Sequence, residues 1–261
     1  MSSHSHQSAH RSAPASAPRR AVLCAALLLA SAAALSGCQS FSTNSAQLRV
    51  IDASPDAGVV DAYQNSSALA YNLAYGTMTS AIPMSPGVYN LAAVKAGTRQ
   101  ALVSTTDTLA AGKQYTEIIG SGLANLQQAL FLDQSTPAPA GQIAVRVIDE
   151  ATRSGAVDVY LVPIAPLSGK FVSTPPLVVN LGFGSSSGYL NVPAGTYAIE
   201  VVPTGTTLAS STVTLLSGAQ VSYASGAVRT IVLIDQQASA SQHAALTPGV
   251  QAITADDADA Q

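Results

Sequence analysis

Leu48-Arg49-Val50-Ile51-Asp52 is the stretch that decides the fold, because Val145-Arg146-Val147-Ile148-Asp149 repeats it in the second half of the chain. Four further segments follow each of these two stretches in the same order, which predicts two copies of one domain. The recurring pairs are Val60–Tyr63 with Val157–Tyr160, Asn72–Gly76 with Asn180–Gly184, Pro86–Tyr89 with Ala194–Tyr197, and Leu132–Gln134 with Ile234–Gln236.

Both copies show the period of β-strands. Apolar and polar residues alternate in segments such as Tyr197–Val202 and Thr212–Leu216, and Gly and Pro clusters separate these segments. Beyond residue 38, no stretch keeps the apolar period of a helix. We predict an all-β fold of two tandem antiparallel β-sandwiches, immunoglobulin-like or transthyretin-like, with a small barrel as the alternative. In the second copy the predicted strands are 143–149, 156–162, 176–181, 187–193, 196–203, 207–215, 219–225 and 229–235.

The N-terminal region carries the features of a lipoprotein signal peptide. The basic pair Arg19–Arg20 precedes an apolar run, Ala21–Leu35, which is too short to span a bilayer comfortably and suits a signal sequence. The run leads into Leu35-Ser36-Gly37-Cys38, which matches a lipobox, the motif in which a cysteine is acylated before cleavage. We predict lipidation at Cys38 and anchoring in the cell envelope. The outer membrane is favoured, because Gln39 and not Asp follows the cysteine.

Cleavage before Cys38 would remove most of the residues that support acid–base and metal chemistry. The lost residues are His4, His6, His10 and Cys24, and His243 becomes the only histidine. A Ser–His–Asp arrangement needs an imidazole, and zinc, copper or iron sites need clustered imidazoles or thiols. We predict that the protein is not an enzyme and holds no cofactor. The alternative is a carboxylate-dependent envelope hydrolase with its site between the two domains.

The charge of the mature chain indicates which partners to expect. Loss of Arg11, Arg19 and Arg20 leaves 8 of the 11 basic residues against 14 acidic ones, so the net charge is near −6. A nucleic-acid partner needs a basic face, so none is predicted. We expect the membrane, through the lipid, and an envelope protein or polymer as partners.

Breaks in composition divide the chain into six segments. Pro137 and Pro139 interrupt strand and helix alike, and the Ala-, Gln-, Ser- and Asp-rich end is too poor in apolar residues to fold alone. The predicted segments are a signal peptide at 1–37, a lipidated tether at 38–46, β-sandwich repeats at 47–134 and 142–237, a linker at 135–141, and a disordered acidic tail at 238–261.

The repeated segments resemble a bacterial family, the domain of unknown function DUF4397. Leu48–Ala57 followed by Val60–Tyr63 is similar to the opening of that family, an Arg-Val-x-His/Asp-Ala-Ser-Pro-Asp run before Val-Asp-Val-Tyr. Asn72–Gly76 and Pro193–Tyr197 fit its later Asn-Val/Leu-x-Tyr/Phe-Gly and Pro-Ala-Gly-x-Tyr segments. The second copy departs from the opening at Asp149–Ser154. The resemblance implies tandem β-sandwiches on envelope or secreted proteins, and it supplies no catalytic residues.

The first copy offers one weak candidate for a metal site. Asp52, Asp56 and Asp61 follow the first predicted strand, and carboxylate oxygens are ligands that calcium prefers. Arg153 replaces Asp56 in the second copy and would repel a cation. We therefore confine the calcium candidate to the first copy and predict no other metal site.

Both copies keep an arginine and an aspartate at matching positions. Arg49 and Asp61 of the first copy correspond to Arg146 and Asp158 of the second. Because the arginine lies on the first strand and the aspartate on the second, we predict that each pair forms a salt bridge that fixes the strand register.

Aromatic residues are scarce, at 5% of the chain with no Trp, which argues against a carbohydrate-binding site. Four tyrosines of the first copy could line a groove, but we expect them to pack at strand ends with their hydroxyls bonded to backbone. They are Tyr63, Tyr71, Tyr75 and Tyr89.

The predicted function is a membrane-anchored envelope lipoprotein, a binding or structural module that presents two β-sandwiches. The insertion in the second copy, at residues 163–176, is the best candidate for a partner-specific loop, because insertions in β-domains lie where strands are connected.

Overall fold

Strands make up nearly all of the regular structure in the computed structural model, which describes residues 44–164, 171–237 and 249–258. The first copy contains β1 (Ala46–Asp52), β2 (Val60–Gln64), β3 (Ser67–Leu73), β4 (Ile82–Met84), β5 (Gly87–Lys95), β6 (Ala101–Leu109), β7 (Gln114–Gly120) and β8 (Gln127–Leu132). The second contains β9 (Gln142–Asp149), β10 (Val157–Pro163), β11 (Val178–Leu181), β12 (Ser185–Pro193), β13 (Gly195–Pro203), β14 (Leu216–Tyr223), β15 (Val228–Asp235) and β16 (Val250–Ala258). Single-turn 3-10 helices span Leu123–Asn125 and Phe171–Ser173.

The strands form four open sheets of four strands each. In the first copy, sheet A has the order β4-β1-β7-β8 and sheet B the order β3-β2-β5-β6. The second copy repeats this topology in sheet C, β12-β9-β15-β16, and sheet D, β11-β10-β13-β14. Neighbours are antiparallel except β1 with β7 and β9 with β15, which are parallel. The prediction of an all-β fold with two tandem β-sandwiches is confirmed, and the predicted antiparallel pairing holds for all pairs but these two.

Alternation along the strands builds a separate apolar core inside each sandwich. In β1, Leu48 and Val50 point between sheets A and B and are completely buried. In β9, Val145 and Val147 do the same between sheets C and D. Complete burial of one such side chain is worth about 1.5–3 kcal/mol. Each copy therefore has the hydrophobic core expected of a domain.

The residues between those core positions point the other way and join the two copies. Ile51 and Ile118 of sheet A form one buried apolar cluster with Ile148, Val232 and Ile234 of sheet C. The layers therefore stack in the order B, A, C, D, with apolar contacts in each of the three gaps. Both sandwiches belong to a single unit, Ser42–Gln261.

The acidic segment near the C-terminus is partly a strand, which corrects the predicted disordered tail. Strand β16 lies at the edge of sheet C, antiparallel to β15, and buries Val250 and Ala255. Composition alone missed it because pairing with β15 satisfies the backbone, so few apolar side chains are needed to hold the strand. Residues 238–248 and 259–261 lie outside the described residues.

Strand β16 also corrects the match between the ends of the two copies. The sequence repeat predicted that Asp133 and Asp235 occupy equivalent positions in the two copies. In the structure, Thr116 of β7 and Thr230 of β15 hold equivalent places, and the strands beside them bring Asp133 and Asp257 to equivalent places. The second copy therefore reaches its eighth strand only at residue 250.

Two segments, a predicted strand at 207–215 and the predicted linker at 135–141, differ in structure from what the sequence predicted. Residues 207–215, predicted as a strand, form a loop between β13 and β14 that buries Leu215. The buried Leu215 anchors the loop to the core, and its backbone bonds to Val201 of β13 and Val250 of β16 at 2.8 and 3.0 Å. In the linker at 135–141, Ala138 is buried and its N–H donates to the carbonyl of Gly226 at 2.9 Å. That segment therefore lies against the second sandwich.

The predicted signal peptide, the lipobox residues and Cys38 lie outside the described residues. Within the three described ranges, no helix combines the length and the apolar character needed to cross a membrane.

Candidate binding groove

The outer face of sheet B, on the side away from the first core, forms an open groove of about 530 Å³. Its volume falls in the range typical of small-ligand sites. The lining residues are Tyr63, Asn65, Ser66, Ala68, Tyr71, Asn90, Ala92, Val94, Arg99 and Ala101. They come from β2, β3, β5, β6 and the turns between these strands.

Strand alternation explains the floor of the groove. In β5, Leu91 and Ala93 point into the core, so Ala92 and Val94 point outward. Side chains as small as alanine leave a shallow channel on the surface of the sheet. Ala101 on the neighbouring β6 continues the channel.

Two tyrosines stand beside this floor. The ring centroids of Tyr63 and Tyr71 lie 6.2 Å apart in an edge-to-face arrangement. Tyr71 is 66% exposed, which is unusual for a large aromatic side chain. A tyrosine hydroxyl is protonated at neutral pH and can donate a hydrogen bond, and desolvation raises the pKa of Tyr63 further above its ordinary value.

The other two candidate tyrosines pack at strand ends, as the sequence predicted. The hydroxyl of Tyr89 donates to the carbonyl of Ser85 at 2.8 Å. The hydroxyl of Tyr75 crosses to the second copy and donates to the carbonyl of Asp235 at 2.5 Å. The expectation for the four tyrosines is therefore right for this pair and wrong for Tyr63 and Tyr71.

One end of the groove carries two asparagines held by the backbone. Asn65 has a positive φ of 49°, and its side-chain oxygen accepts the N–H of Asn90 at 3.0 Å. The side-chain nitrogen of Asn90 donates to the carbonyl of Thr105 at 3.3 Å. These bonds use one amide atom of each side chain and leave the other for a ligand.

Arg99, in the turn between β5 and β6, gives the groove a positive charge. Its side chain is exposed. Among the described arginines, Arg49, Arg146, Arg153 and Arg229 form ion pairs with aspartates, and Arg99 does not. Sequence reasoning missed Arg99 and both asparagines, because nothing in the linear pattern places them beside the tyrosines.

The equivalent face of the second copy is covered. On sheet D, Tyr160, Val162 and Val202 are buried beneath Phe171 and Leu208. The rings of Tyr160 and Phe171 lie 5.0 Å apart, edge to face. Phe171 belongs to the insertion at 163–176, so the described part of that insertion packs on its own sandwich. Residues 165–170 lie outside the described residues.

A buried charge network lies where sheet A meets sheet C. Arg49 of the first copy bonds to Asp257 at 2.6 Å, and Arg146 of the second bonds to Asp133 at 2.5 Å. Arg49 also reaches Asp133 at 3.4 Å, so the network is continuous. Each arginine thus pairs across the interface with the aspartate that ends the other copy.

This network overturns the predicted salt bridges of Arg49 with Asp61 and of Arg146 with Asp158. Arg49 points out of sheet A, whereas Asp61 lies between the inward-pointing residues of β2 and points out of sheet B. The core lies between them, and stacked sheets are about 10 Å apart. The same geometry separates Arg146 from Asp158.

The two aspartates instead hold an equivalent irregularity in the strand pairing of each copy, between β2 and β3 and between β10 and β11. Asp61 accepts the N–H of Asn72 at 2.8 Å, and Asp158 accepts the N–H of Asn180 at 2.8 Å. Both asparagines have a positive φ, of 55° and 54°. The recurrence of these aspartates therefore reflects a backbone contact shared by both copies.

The candidate calcium ligands do not converge. Asp52 accepts the N–H of Ser54 at 2.9 Å, and Asp56 accepts that of Leu123 at 2.6 Å, while Asp61 is held at Asn72. Across the described part of the chain, no three His, Cys, Asp or Glu side chains form a group that could hold a metal ion.

Several carboxyl groups are buried without an arginine partner. Burial raises the pKa of Asp52 to about 7 and that of Asp149 to about 6. Burial also raises the pKa of Glu117 and of Glu150 to about 7. Glu117 points into the first core, where the side-chain nitrogen of Gln128 donates to it. These groups are inaccessible to a substrate but make stability depend on pH.

Comparison with known proteins yields one family match and one weak structural match. One solved structure, described as "Alpha-glucan binding by a streptococcal virulence factor", matches with 9% identity and a TM-score of 0.24, over 60% of this chain and 79% of that chain. At so low a TM-score the likeness bears on neither fold nor ligand. No curated protein matches the sequence. Residues 46–160 match the family described as "Domain of unknown function (DUF4397)", a range that covers the first sandwich and extends into β10 of the second β-rich domain.

Proposed function

We propose that this protein is a binding module of the cell envelope and that its ligand site is the groove on sheet B. One observation supports this most strongly. The same face is open in the first copy and covered by Phe171 and Leu208 in the second. An exposed aromatic ring such as Tyr71, set among polar side chains on an otherwise open sheet, is typical of an interaction site.

The second sandwich then serves as a support for the first. The buried cluster and the reciprocal ion pairs between sheets A and C hold the copies together as one body. We also infer that both copies are DUF4397 domains. The matched region ends within β10, but the strand order and the repeated segments continue through the second copy.

Anchoring completes the proposal. Acylation of Cys38 would attach the protein to the outer membrane through the tether at 38–46, with the two sandwiches held at a short distance from the lipid surface. The lipobox sequence Leu35-Ser36-Gly37-Cys38 and the preceding apolar run support this. Metabolic labelling with an alkyne fatty acid should mark the wild type and leave Cys38→Ala unmarked. Equal labelling of the two would contradict the anchor.

The hydrolase alternative is less well supported. It needs two accessible carboxyl groups in a cleft between the domains. The described carboxyl groups of Asp133 and Asp257 in that region are buried and bonded to arginines. We therefore favour binding.

A fragment screen tests the binding site without knowledge of the ligand. Purified residues 39–261 would be titrated with a library of small polar and aromatic fragments, and chemical shifts would be followed by NMR. We expect the shifts to cluster on sheet B, at Tyr63, Tyr71 and Arg99. Shifts that cluster on sheet D, or that are scattered over the surface, would contradict the proposed site.

A further inference from the structure

Resting on the proposed function, we propose that the groove binds a short segment of an acidic polysaccharide, with a sugar carboxylate at Arg99. The scarcity of aromatic residues in the sequence argued against a sugar ligand, but the fold brings one exposed ring, several polar side chains and a cation together in one groove. Four features support the proposal, namely the position of the groove on a sheet face, its polar side chains, its exposed ring and its single charge.

The position of the groove on a sheet face disfavours a peptide ligand. An extended peptide is recognised mainly by main-chain hydrogen bonds at a free strand edge. The free strand edges of sheet B belong to β3 and β6, whereas the groove lies on the face of the sheet, above β2 and β5, which are hydrogen-bonded to a neighbour on both sides. Only side chains are therefore available to recognise a ligand there.

The polar side chains of the groove suit sugar hydroxyls. Each asparagine amide has a donor nitrogen and an acceptor oxygen. The hydroxyls of Ser66 and Tyr63 can both donate and accept a hydrogen bond. A sugar hydroxyl also donates and accepts. The groove thus matches a ligand that presents several hydroxyl groups along its length.

The tyrosine ring and the shallow floor suit a pyranose. Tyr71 exposes most of its ring, and Ala92 and Ala101 leave space beside it. The apolar C–H face of a sugar can lie on such a ring while its hydroxyls reach Asn65 and Asn90.

The charge of the groove selects an acidic sugar. The mature chain is acidic overall, and the other described arginines are paired with aspartates. The guanidinium of Arg99 is left to meet an anion from outside. A planar guanidinium binds a carboxylate through two parallel hydrogen bonds.

Calorimetric titration of residues 39–261 tests the inference. The probes are trigalacturonate, trimannuronate and a hyaluronan tetrasaccharide, with neutral maltotriose and an acidic hexapeptide for comparison. We expect at least one acidic oligosaccharide to bind about tenfold or more tightly than either comparison probe. Arg99→Gln should weaken that binding about tenfold, because a charge-assisted bond is lost.

Matched variants separate the groove from general charge. Lys113→Gln removes an exposed positive charge from the turn between β6 and β7, and it should leave affinity unchanged. Tyr71→Ala should weaken binding, whereas Tyr71→Phe, which keeps the ring, should retain most of it. Equal effects of Arg99→Gln and Lys113→Gln would overturn the assignment of the carboxylate to Arg99.

Other outcomes also decide the question. Equal affinity for maltotriose would overturn the acidic character, and tighter binding of the hexapeptide would overturn the sugar. If no oligosaccharide binds while fragments still gather at Tyr71, the ligand class is wrong and the proposed site stands. If fragments gather elsewhere, the proposed site itself fails.

Discussion

The outer faces of sheets B and D are equivalent in strand order, yet one is an open groove and the other is covered. Both faces carry a tyrosine at the same place, Tyr63 on β2 and Tyr160 on β10. The second copy places Phe171 and Leu208 over its tyrosine, and the first copy has no counterpart to that insertion. The difference shows that connecting segments, and not the sheets, determine which face can bind a ligand.

The faces that the copies share show the opposite behaviour. Sheets A and C meet through matched apolar residues and through matched arginines, threonines and aspartates. Both copies keep the same residue types in these sheets because the arginine of each copy pairs with the aspartate of the other. This shared joint between sheets A and C therefore contrasts with the two outer faces, where the copies have diverged.

The largest effect should come from the shared joint. Asp257→Ala removes the 2.6 Å ion pair and leaves the buried Arg49 with Asp133, at 3.4 Å, as its remaining charged partner beside its neutral bond to Thr116. We expect the free energy of unfolding to fall by about 3 kcal/mol, since one partner of a buried pair is left uncompensated. Urea denaturation measures the loss.

The neighbouring residue provides the control. Asp256 pairs with Arg229, but its side chain is 64% exposed. Asp256→Ala should therefore cost less than about 1 kcal/mol. Equal losses in the two variants would remove the special role of the buried network.

The next effect concerns the covered face. Phe171→Ala removes the ring that packs on Tyr160, and we expect a loss of about 2 kcal/mol in the free energy of unfolding. The same change should open sheet D, so fragments that bind only sheet B in the wild type should then reach Tyr160. Val172→Ala, at a position 48% exposed, should do neither.

The cores of the copies differ at one buried carboxyl group. Glu117 occupies the strand position that Ile231 holds in the second copy, and burial raises its pKa from 4.5 to about 7. The folded protein therefore holds this proton more tightly than the unfolded chain does. Its contribution to stability is complete below the unfolded pKa and is lost as pH rises through the folded value.

We expect Glu117→Gln to reduce that pH dependence. Between about pH 5 and pH 8, the wild type should lose about 2 kcal/mol more than the variant. The variant keeps a residual slope, because Asp52, Asp149 and Glu150 are buried as well. Identical slopes in the urea midpoints of the two proteins would show that Glu117 does not titrate as a buried acid.

The smallest effect should come from the groove itself. Tyr71 and Arg99 lie on the surface, so Tyr71→Ala and Arg99→Gln should change the free energy of unfolding by no more than about 0.5 kcal/mol. A loss of several kcal/mol, seen by thermal or urea unfolding, would mean that these side chains support the fold and are not reserved for a ligand.

Much of the fold could be predicted because apolar and polar residues alternate within each strand. The repeat of Leu48–Asp52 as Val145–Asp149 marks the two copies, and the period of two within each stretch sets which side chains point inward. Strand β16 could not be predicted from composition, because it is held by pairing with β15 after a long connection. The alternation at 207–215 wrongly predicted a strand, because there a buried side chain anchors a loop to the core.

The candidate site could not be predicted, because it depends on which strands are neighbours. Tyr63 and Tyr71 meet only because β2 and β3 pair, and Arg99 joins them from the turn after β5. The predicted bridge from Arg49 to Asp61 failed for the same reason. Consecutive strands were assumed to share a sheet, whereas β1 and β2 lie in different sheets.

Hydroxyl-radical footprinting of the protein, in intact cells and after purification, measures whether the groove on sheet B holds a ligand. We expect Tyr71 to be oxidised in the purified protein and protected in cells, where its ligand is present. Phe183, 37% exposed on the second copy, should react equally in both samples, and Tyr160 should be protected in both. Equal oxidation of Tyr71 in the two samples would contradict a ligand-occupied groove, and reactive Tyr160 would contradict the covered face.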